Sequence, residues 1–239
     1  PESFDRSLAQ VAELRPDRIA LYGYAHLPER FKSQRRINTG DLPSAGGKVT
    51  MLVRALTAFH EAGYVHIGMD HFALPEDALA VARRQGRLHR NFQGYSTQPD
   101  CDLIGLGLSA IGKVGASYSQ NAKDLAEYQD RLDQGHLPVV RGLALSRDDV
   151  LRRAVIMSLM CQGRVHFRSV ELAYLIDFKT CFAAELERLR MMQDDGLVKL
   201  SDIAIEVTPL GWFFVRGIAM VFDRYLQARR SRARLSKIL

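Results

Sequence analysis

The chain has 239 residues, 47% of them hydrophobic and 25% charged, enough for one large domain or two modest ones. No apolar run approaches the ~18 residues that cross a bilayer. The opening PESFDRSLAQ lacks a basic stretch followed by an apolar one, so no secretory signal or membrane partner is expected, and the expected location is cytoplasmic. Much of the net charge of +6 falls at the end, in Arg224, Arg229, Arg230, Arg232, Arg234 and Lys237. Aromatics do not interleave with this run, so it reads as a solvated helix end and no nucleic-acid partner is expected. The three cysteines, Cys101, Cys161 and Cys181, are odd in number and widely spaced. That argues against a disulfide framework and against a closely spaced metal motif, and most of them are expected to be buried, reduced thiols.

In chain order, residues 3–14 read as a helix with Phe4, Leu8, Val11 and Ala12 at helical spacing, ended by Pro16. Residues 18–24 read as a short strand, followed by a long polar loop. A helix is predicted over 48–62, with Val49, Leu52, Val53, Leu56 and Phe59 on one face and Gly63 closing it. A second strand over 64–69 runs into Asp70-His71-Phe72, and a short helix follows over 77–85. Residues 88–97 show no period and read as a functional loop or irregular strand. A third strand over 102–106 leads into a glycine-rich turn, then a helix over 121–134 closed by Gly135. Such strand–loop–helix units predict parallel pairing with crossover helices, part of a (β/α) barrel or an open sheet, with ligand residues on the loops after the strands.

The pattern changes near residue 138, and a boundary is placed at 137–145, dividing the chain into 1–137 and 138–239. Ser146 caps a helix with Asp148 and Asp149 in its first turn. Another helix spans 178–193, stopped by Gly196, and two short strands lie over 197–200 and 203–207. A last helix starts at Thr208-Pro209, with Trp212, Val215, Ala219, Phe222 and Leu226 on its buried face. Helix, helix, hairpin, helix is a winged-helix-like order. At least one of Trp212, Phe213 and Phe214 must point away from that helix's own core face.

Four constellations carry chemistry. YGYAHLP (22–28) ends a strand, with His26 able to exchange protons, although an ordinary strand end explains it as well. Asp70-His71 suits polar ligand contact or proton transfer, or local capping of backbone amides. HRNFQGY (89–95) packs a cation, amides and two aromatics together, a set that can stack a nucleobase and read its edge. The glycines of GLGLSAIG (105–112) permit close backbone approach, but their spacing departs from the dinucleotide fingerprint. Carboxylate pairs, a nucleophile elbow and a P-loop are absent from the pattern. His60 and His66 read as structural.

Taken together, YAHLPERFKSQRRI, GMDHFALPEDALA, LHRNFQGYSTQPDCDLIGLGLSAIG and LSRDDVLRRAVIMSLMC resemble the oxygen-independent coproporphyrinogen III oxidases, in order and over nearly the whole chain. The resemblance implies an α/β fold: the C-terminal part of an incomplete (β/α) radical-SAM barrel, then a mainly helical, winged-helix-like domain. It implies two S-adenosyl-L-methionine molecules and a 4Fe–4S cluster, whose chemistry abstracts hydrogen from substrate propionates. Loss of carbon dioxide then leaves vinyl groups, turning coproporphyrinogen III into protoporphyrinogen IX in haem biosynthesis. By motif match, Ala25, Phe92, Gln93 and Ile111 take cofactor-binding positions. Cations for the substrate's carboxylates are sought among Arg30, Lys32, Arg35, Arg36 and Arg90, with Arg35, Arg36 and Arg90 named as substrate-binding.

The family's cluster motif, C-x-x-x-C-x-x-C, is not in this chain. Its cysteines lie 60 and 20 residues apart (101 to 161, 161 to 181) and cannot imitate it. No metal is therefore expected on these residues, the cluster is assigned to a segment N-terminal to them, and the chain alone is expected to be inactive, a fragment that opens on proline. A small-molecule porphyrinogen, an electron donor and a monomeric state complete what the resemblance implies. Alternatives are a related radical-SAM haem chaperone, against which HRNFQGY and DDV argue, and a non-catalytic winged-helix binding module supported by the basic tail.

Overall fold

The computed structural model describes residues 2–229. Helix α1 (Glu2–Leu14) leads into β1 (Arg18–Ala20), two short 3-10 turns, and α2 (Ala45–Glu61), whose N-terminus Ser44 caps by accepting from the Gly47 amide. Strands β2 (Val65–Gly68) and β3 (His71–Ala73) follow, then α3 (Ala78–Arg84), capped by Asp77. Phe59, Tyr64 and Phe72 join Leu8 and Ala55 in a small core between α1, α2 and the first sheet.

The expected parallel pairing does not occur. Every pairing between described strands is antiparallel, and the first sheet has the order β1-β3-β2. The connections explain why. Only Met69 and Asp70 separate the paired residues Gly68 and His71, and two residues allow a hairpin but never a crossover. Strands β4 (His89–Asn91) and β5 (Gly94–Ser96) turn in the same way at Phe92-Gln93, where no periodicity was visible. The third expected strand also moves. Of residues 102–106, only Leu103 makes a bridge, to Lys113. The paired segments are β6 (Ile111–Val114) and β7 (Ser117–Asn121), joined through Gly115-Ala116. The glycines at 105 and 112 serve this packing: a Cβ on Gly105 would meet the Ile111 backbone at 2.9 Å, and one on Gly112 would meet Ser119 Oγ at 2.8 Å. Their close approach is to the chain itself.

Helix α4 (Leu125–Asp133) begins later than expected because Asp124 caps it, accepting from the Glu127 amide. Strand β8 (Val139–Ala144), unforeseen, completes the order β6-β7-β8. Beyond it, α5 (Arg147–Gln162) opens with a reciprocal capping box between Ser146 and Asp149. Then come β9 (Arg164–His166), α6 (Phe167–Tyr174), α7 (Phe178–Cys181), α8 (Ala183–Asp194), β10 (Val198–Leu200) and β11 (Ala204–Val207). Helix–strand–helix–helix–strand–strand is the winged-helix order, with the sheet arranged β10-β11-β9. The helix expected over 178–193 breaks at Phe182, whose fully buried ring packs between Phe178 and Phe222.

The expected last helix is a 3-10 turn over Gly211–Phe214, α9 (Val215–Ala219), a second 3-10 turn and α10 (Arg224–Arg229). Trp212, Val215, Ala219 and Phe222 are buried as the pattern required, while Leu226 is half-buried. Phe213 is the aromatic that points away, stacking on His66 at 4.9 Å. One hydrophobic core runs from Ile67 and Leu88 through Val155 and Leu159 to Ile218 and Phe222, so β2–β5 and the C-terminal helices share an interior. Arg224 is not a solvated charge: it pairs with Asp148 and Asp149 at the start of α5. Residues 230–239, with most of the basic tail, lie outside the described residues. The thiol expectation is also corrected, since Cys161 is buried but Cys101 and Cys181 are exposed.

Candidate functional site

Two two-residue turns do most of the positioning. At the first, Met69 adopts φ 50°, a strained value for a side-chain-bearing residue. His66 Nε2 donates to the Met69 carbonyl at 2.8 Å and holds the turn. Burial pushes the His66 pKa down, so the ring is neutral at pH 7. The turn presents Asp70, and His71 Nδ1 donates to its carboxylate at 2.8 Å. That orients the ring and turns Nε2 away from Asp70. Burial works to raise the Asp70 pKa, but the hydrogen bonds from His71 and from its own turn outweigh it, and the carboxyl lies below its ordinary value. Tyr22 and Tyr95 meet the His71 ring edge-on at 6.3 and 5.5 Å. The Tyr95 hydroxyl donates to the Met160 carbonyl, tying this cluster to α5. Arg90 lies over the Tyr95 ring at 4.8 Å, with its Nη1 sealed from solvent and unpartnered.

The second turn carries Phe92 and Gln93. The Phe92 ring is 51% exposed and meets Tyr118 edge-on at 5.1 Å. The Gln93 amide N–H donates to Asn91 Oδ1, leaving the Gln93 side chain at the tip. Both residues line a cavity of about 920 Å³ bounded by the β4–β5 hairpin, residues 98–103, α5 and α9. On its wall Arg153 donates from Nη1 and Nη2 to Asp100 at 2.6 and 2.7 Å and from Nε to the Tyr118 hydroxyl at 2.8 Å. Lys113 adds a 2.8 Å contact to Asp100. These hydrogen bonds, Arg153's first, hold the Asp100 carboxyl at about 2. Cys161 also borders the cavity, its thiol pushed up by burial to about 11.

The motif-matched residues do not all share this cavity. Phe92, Gln93 and Arg90 line it, whereas Ala25 and Ile111 do not. Ala25 is exposed and its carbonyl accepts from Gln34 Nε2. Ile111 is half-buried in β6 opposite Gln120. Of the loop cations, Arg35 donates to the Pro28 carbonyl, Arg30, Lys32 and Arg36 are exposed, and none of the four borders the cavity. The sequence did not mark Arg153, Tyr118, Lys113 or Arg216. They carry no local motif, and only the contact between α5, β7 and α9 gives them a role. Among the described residues, no group of three His, Cys, Asp or Glu could hold a metal ion. A 4Fe–4S cluster, which needs close thiolates, does not fit these residues.

Residues 145–214 match the family described as HemN C-terminal domain. The whole chain is 48% identical to an oxygen-independent coproporphyrinogen III oxidase of Pseudomonas aeruginosa, over 239 residues that make up 52% of that protein. The like-named protein of Thermostichus vulcanus is 44% identical over 97% of this chain and 71% of its own length. The chain belongs to the oxygen-independent coproporphyrinogen III oxidase family. A solved structure, that of the Escherichia coli enzyme titled a radical SAM enzyme, superposes with a TM-score of 0.92 at 47% identity, covering 95% of this chain and 52% of that one. The fold is therefore that of the C-terminal part of a radical-SAM enzyme. The chain spans about half the length of most of the curated relatives it matches. No helix among the described residues is long and apolar enough to cross a membrane.

Proposed function

We propose that this chain is the C-terminal half of an oxygen-independent coproporphyrinogen III oxidase, acting in radical oxidative decarboxylation of two propionates of coproporphyrinogen III to vinyls. The observation that carries the reading is identity of 41–48% to relatives of that name across 99–100% of the chain. Phe92 and Gln93 would meet S-adenosyl-L-methionine: an exposed aromatic face and a carboxamide at one hairpin tip suit an adenine ring. Ala25 and Ile111, the first residue of β6, are proposed as further contacts. When bound and reduced, that cofactor supplies the hydrogen-abstracting radical.

This chain's own residues bind and orient. Arg90 offers a guanidinium to a propionate, and Arg35 and Arg36 are proposed as further carboxylate contacts. The Asp70–His71 pair holds an oriented imidazole next to Tyr95. The reading divides the chain into a barrel portion, 1–137, and a helical portion, 138–239. It places the enzyme in the cytoplasm as a monomer fed by an electron donor.

The test joins this chain to a cluster-bearing N-terminal half, reconstitutes the product anaerobically, and supplies S-adenosyl-L-methionine, a reductant and coproporphyrinogen III. Protoporphyrinogen IX and two carbon dioxide per turnover are expected. Cofactor cleavage with all four propionates left intact would refute the assignment.

A further inference from the structure

The cavity between the β4–β5 hairpin and the C-terminal helices contains more cations than acids, four (Arg90, Lys113, Arg153, Arg216) against three (Asp100, Asp102, Asp223). Each acid already has a partner within the chain. Asp100 is held by Arg153 and Lys113. Asp102 accepts from the Gly115 amide, and Asp223 from the Tyr225 and Leu226 amides. Lys113 and Arg153 both pair with Asp100. That leaves Arg90 on β4 and Arg216 on α9, and neither guanidinium makes an ion pair or hydrogen bond with any described residue. Arg90 acts electrostatically on Asp70 without pairing with it, and its Nη1 is sealed, so a ligand carboxylate in the cavity would meet the rest of its guanidinium. The remaining wall mixes adaptable apolar side chains (Met157, Met160, Met220) and aromatic ones (Phe92, Tyr118) with uncharged polar ones such as Gln98. At about 920 Å³ the cavity stands near the upper end of ligand pockets, roughly 300–1,000 Å³.

We propose that this cavity holds the polycarboxylate substrate, with Arg216 of the C-terminal domain acting beside Arg90 as a second carboxylate receptor. The proposal deepens the function proposed above and rests on it. A ligand with a broad apolar body and carboxylates on separate edges fits two guanidiniums on separate elements; a small anion or an uncharged ring does not. Arginine suits the role better than lysine because its planar fork meets a carboxylate with two parallel hydrogen bonds.

The experiment uses the full-length reconstituted protein and two stable probes, coproporphyrin III and its uncharged tetramethyl ester, followed by fluorescence polarisation. Arg216→Gln should weaken coproporphyrin III binding by about tenfold or more, the loss expected for one charged hydrogen-bonded contact. Arg216→Lys should recover part of it, and binding of the ester and of S-adenosyl-L-methionine should not change. Arg90→Gln should act in the same direction. Arg90 is half-buried against Tyr95, and its removal can disturb folding, so exposed Arg216 decides the matter. Unchanged affinity and KM in Arg216→Gln, with the enzyme still converting coproporphyrinogen III, would overturn the inference and leave the function intact. Arg216-dependent binding without any decarboxylation by the wild type would support the anion site and sink the activity.

Discussion

Gly163 should tolerate no side chain, for two separable reasons. It ends α5 at φ 65°, donating to the Leu159 carbonyl and accepting from the Val207 amide. A Cβ at this position would stand 2.6 Å from Cζ3 and 3.1 Å from Cε3 of Trp212, a ring that is 8% exposed and capped by Arg83 at 4.7 Å. Gly163→Ala therefore carries two costs. The left-handed conformation costs about 1–2 kcal/mol for a residue with a Cβ, and overpacking against a held ring adds about 1–3 kcal/mol. The sum, about 2–5 kcal/mol, corresponds to a fall in Tm of roughly 4–20 °C for a chain of this size. Gly196, which follows α8 at φ 73°, is the matched control, because nothing lies within 4 Å of its Cβ position. Gly196→Ala should cost only the conformational part, about 1–2 kcal/mol. Urea unfolding followed by circular dichroism and by the fluorescence of Trp212, the chain's single tryptophan, gives both numbers. If the two variants agree within about 0.5 kcal/mol, Trp212 does not constrain Gly163 and the packing argument fails.

The Asp100 pKa of about 2 makes a pH prediction. A depressed folded-state pKa stabilises above the unfolded value of about 3.9 and is lost as pH falls toward the folded value, so the gap between wild type and Asp100→Asn should be constant at neutral pH and close between about pH 4 and 2. A gap that persists at pH 2 would count against the pairing. Arg153→Lys cannot reproduce the paired contacts to Asp100 and the bond to Tyr118; with Asp100 half exposed, a double-mutant cycle with Asp100→Asn should give a coupling of about 1 kcal/mol, and a value near zero would show the ion pair to be incidental. With native protein at pH 8, Cys101 should react with a maleimide first, Cys181 more slowly because burial raises its pKa, and Cys161 only on unfolding. Equal labelling of all three thiols by mass spectrometry would contradict the burial of Cys161.

Helices were legible in this sequence because their signals are local. Ser146 followed by Asp149, apolar residues at helical spacing in 48–62, and Gly196 after 178–193 act within a turn or two of chain, and the corresponding helices are present with shifted ends. The family, too, was legible in segments such as HRNFQGY and GMDHFALPEDALA. Strand pairing was not. Residues 102–106 have the composition of a strand, yet 111–114 and 117–121 pair instead, because pairing is chosen by a distant partner rather than by the segment itself. The cavity shows the same limit. Arg153 and Asp100 are 53 residues apart in the chain, and Arg90 and Arg216 are farther apart still, so nothing in either local sequence marks them as neighbours. Folding β4, β6, β7, α5 and α9 against one another decides which cations find a carboxylate within the chain and which two do not.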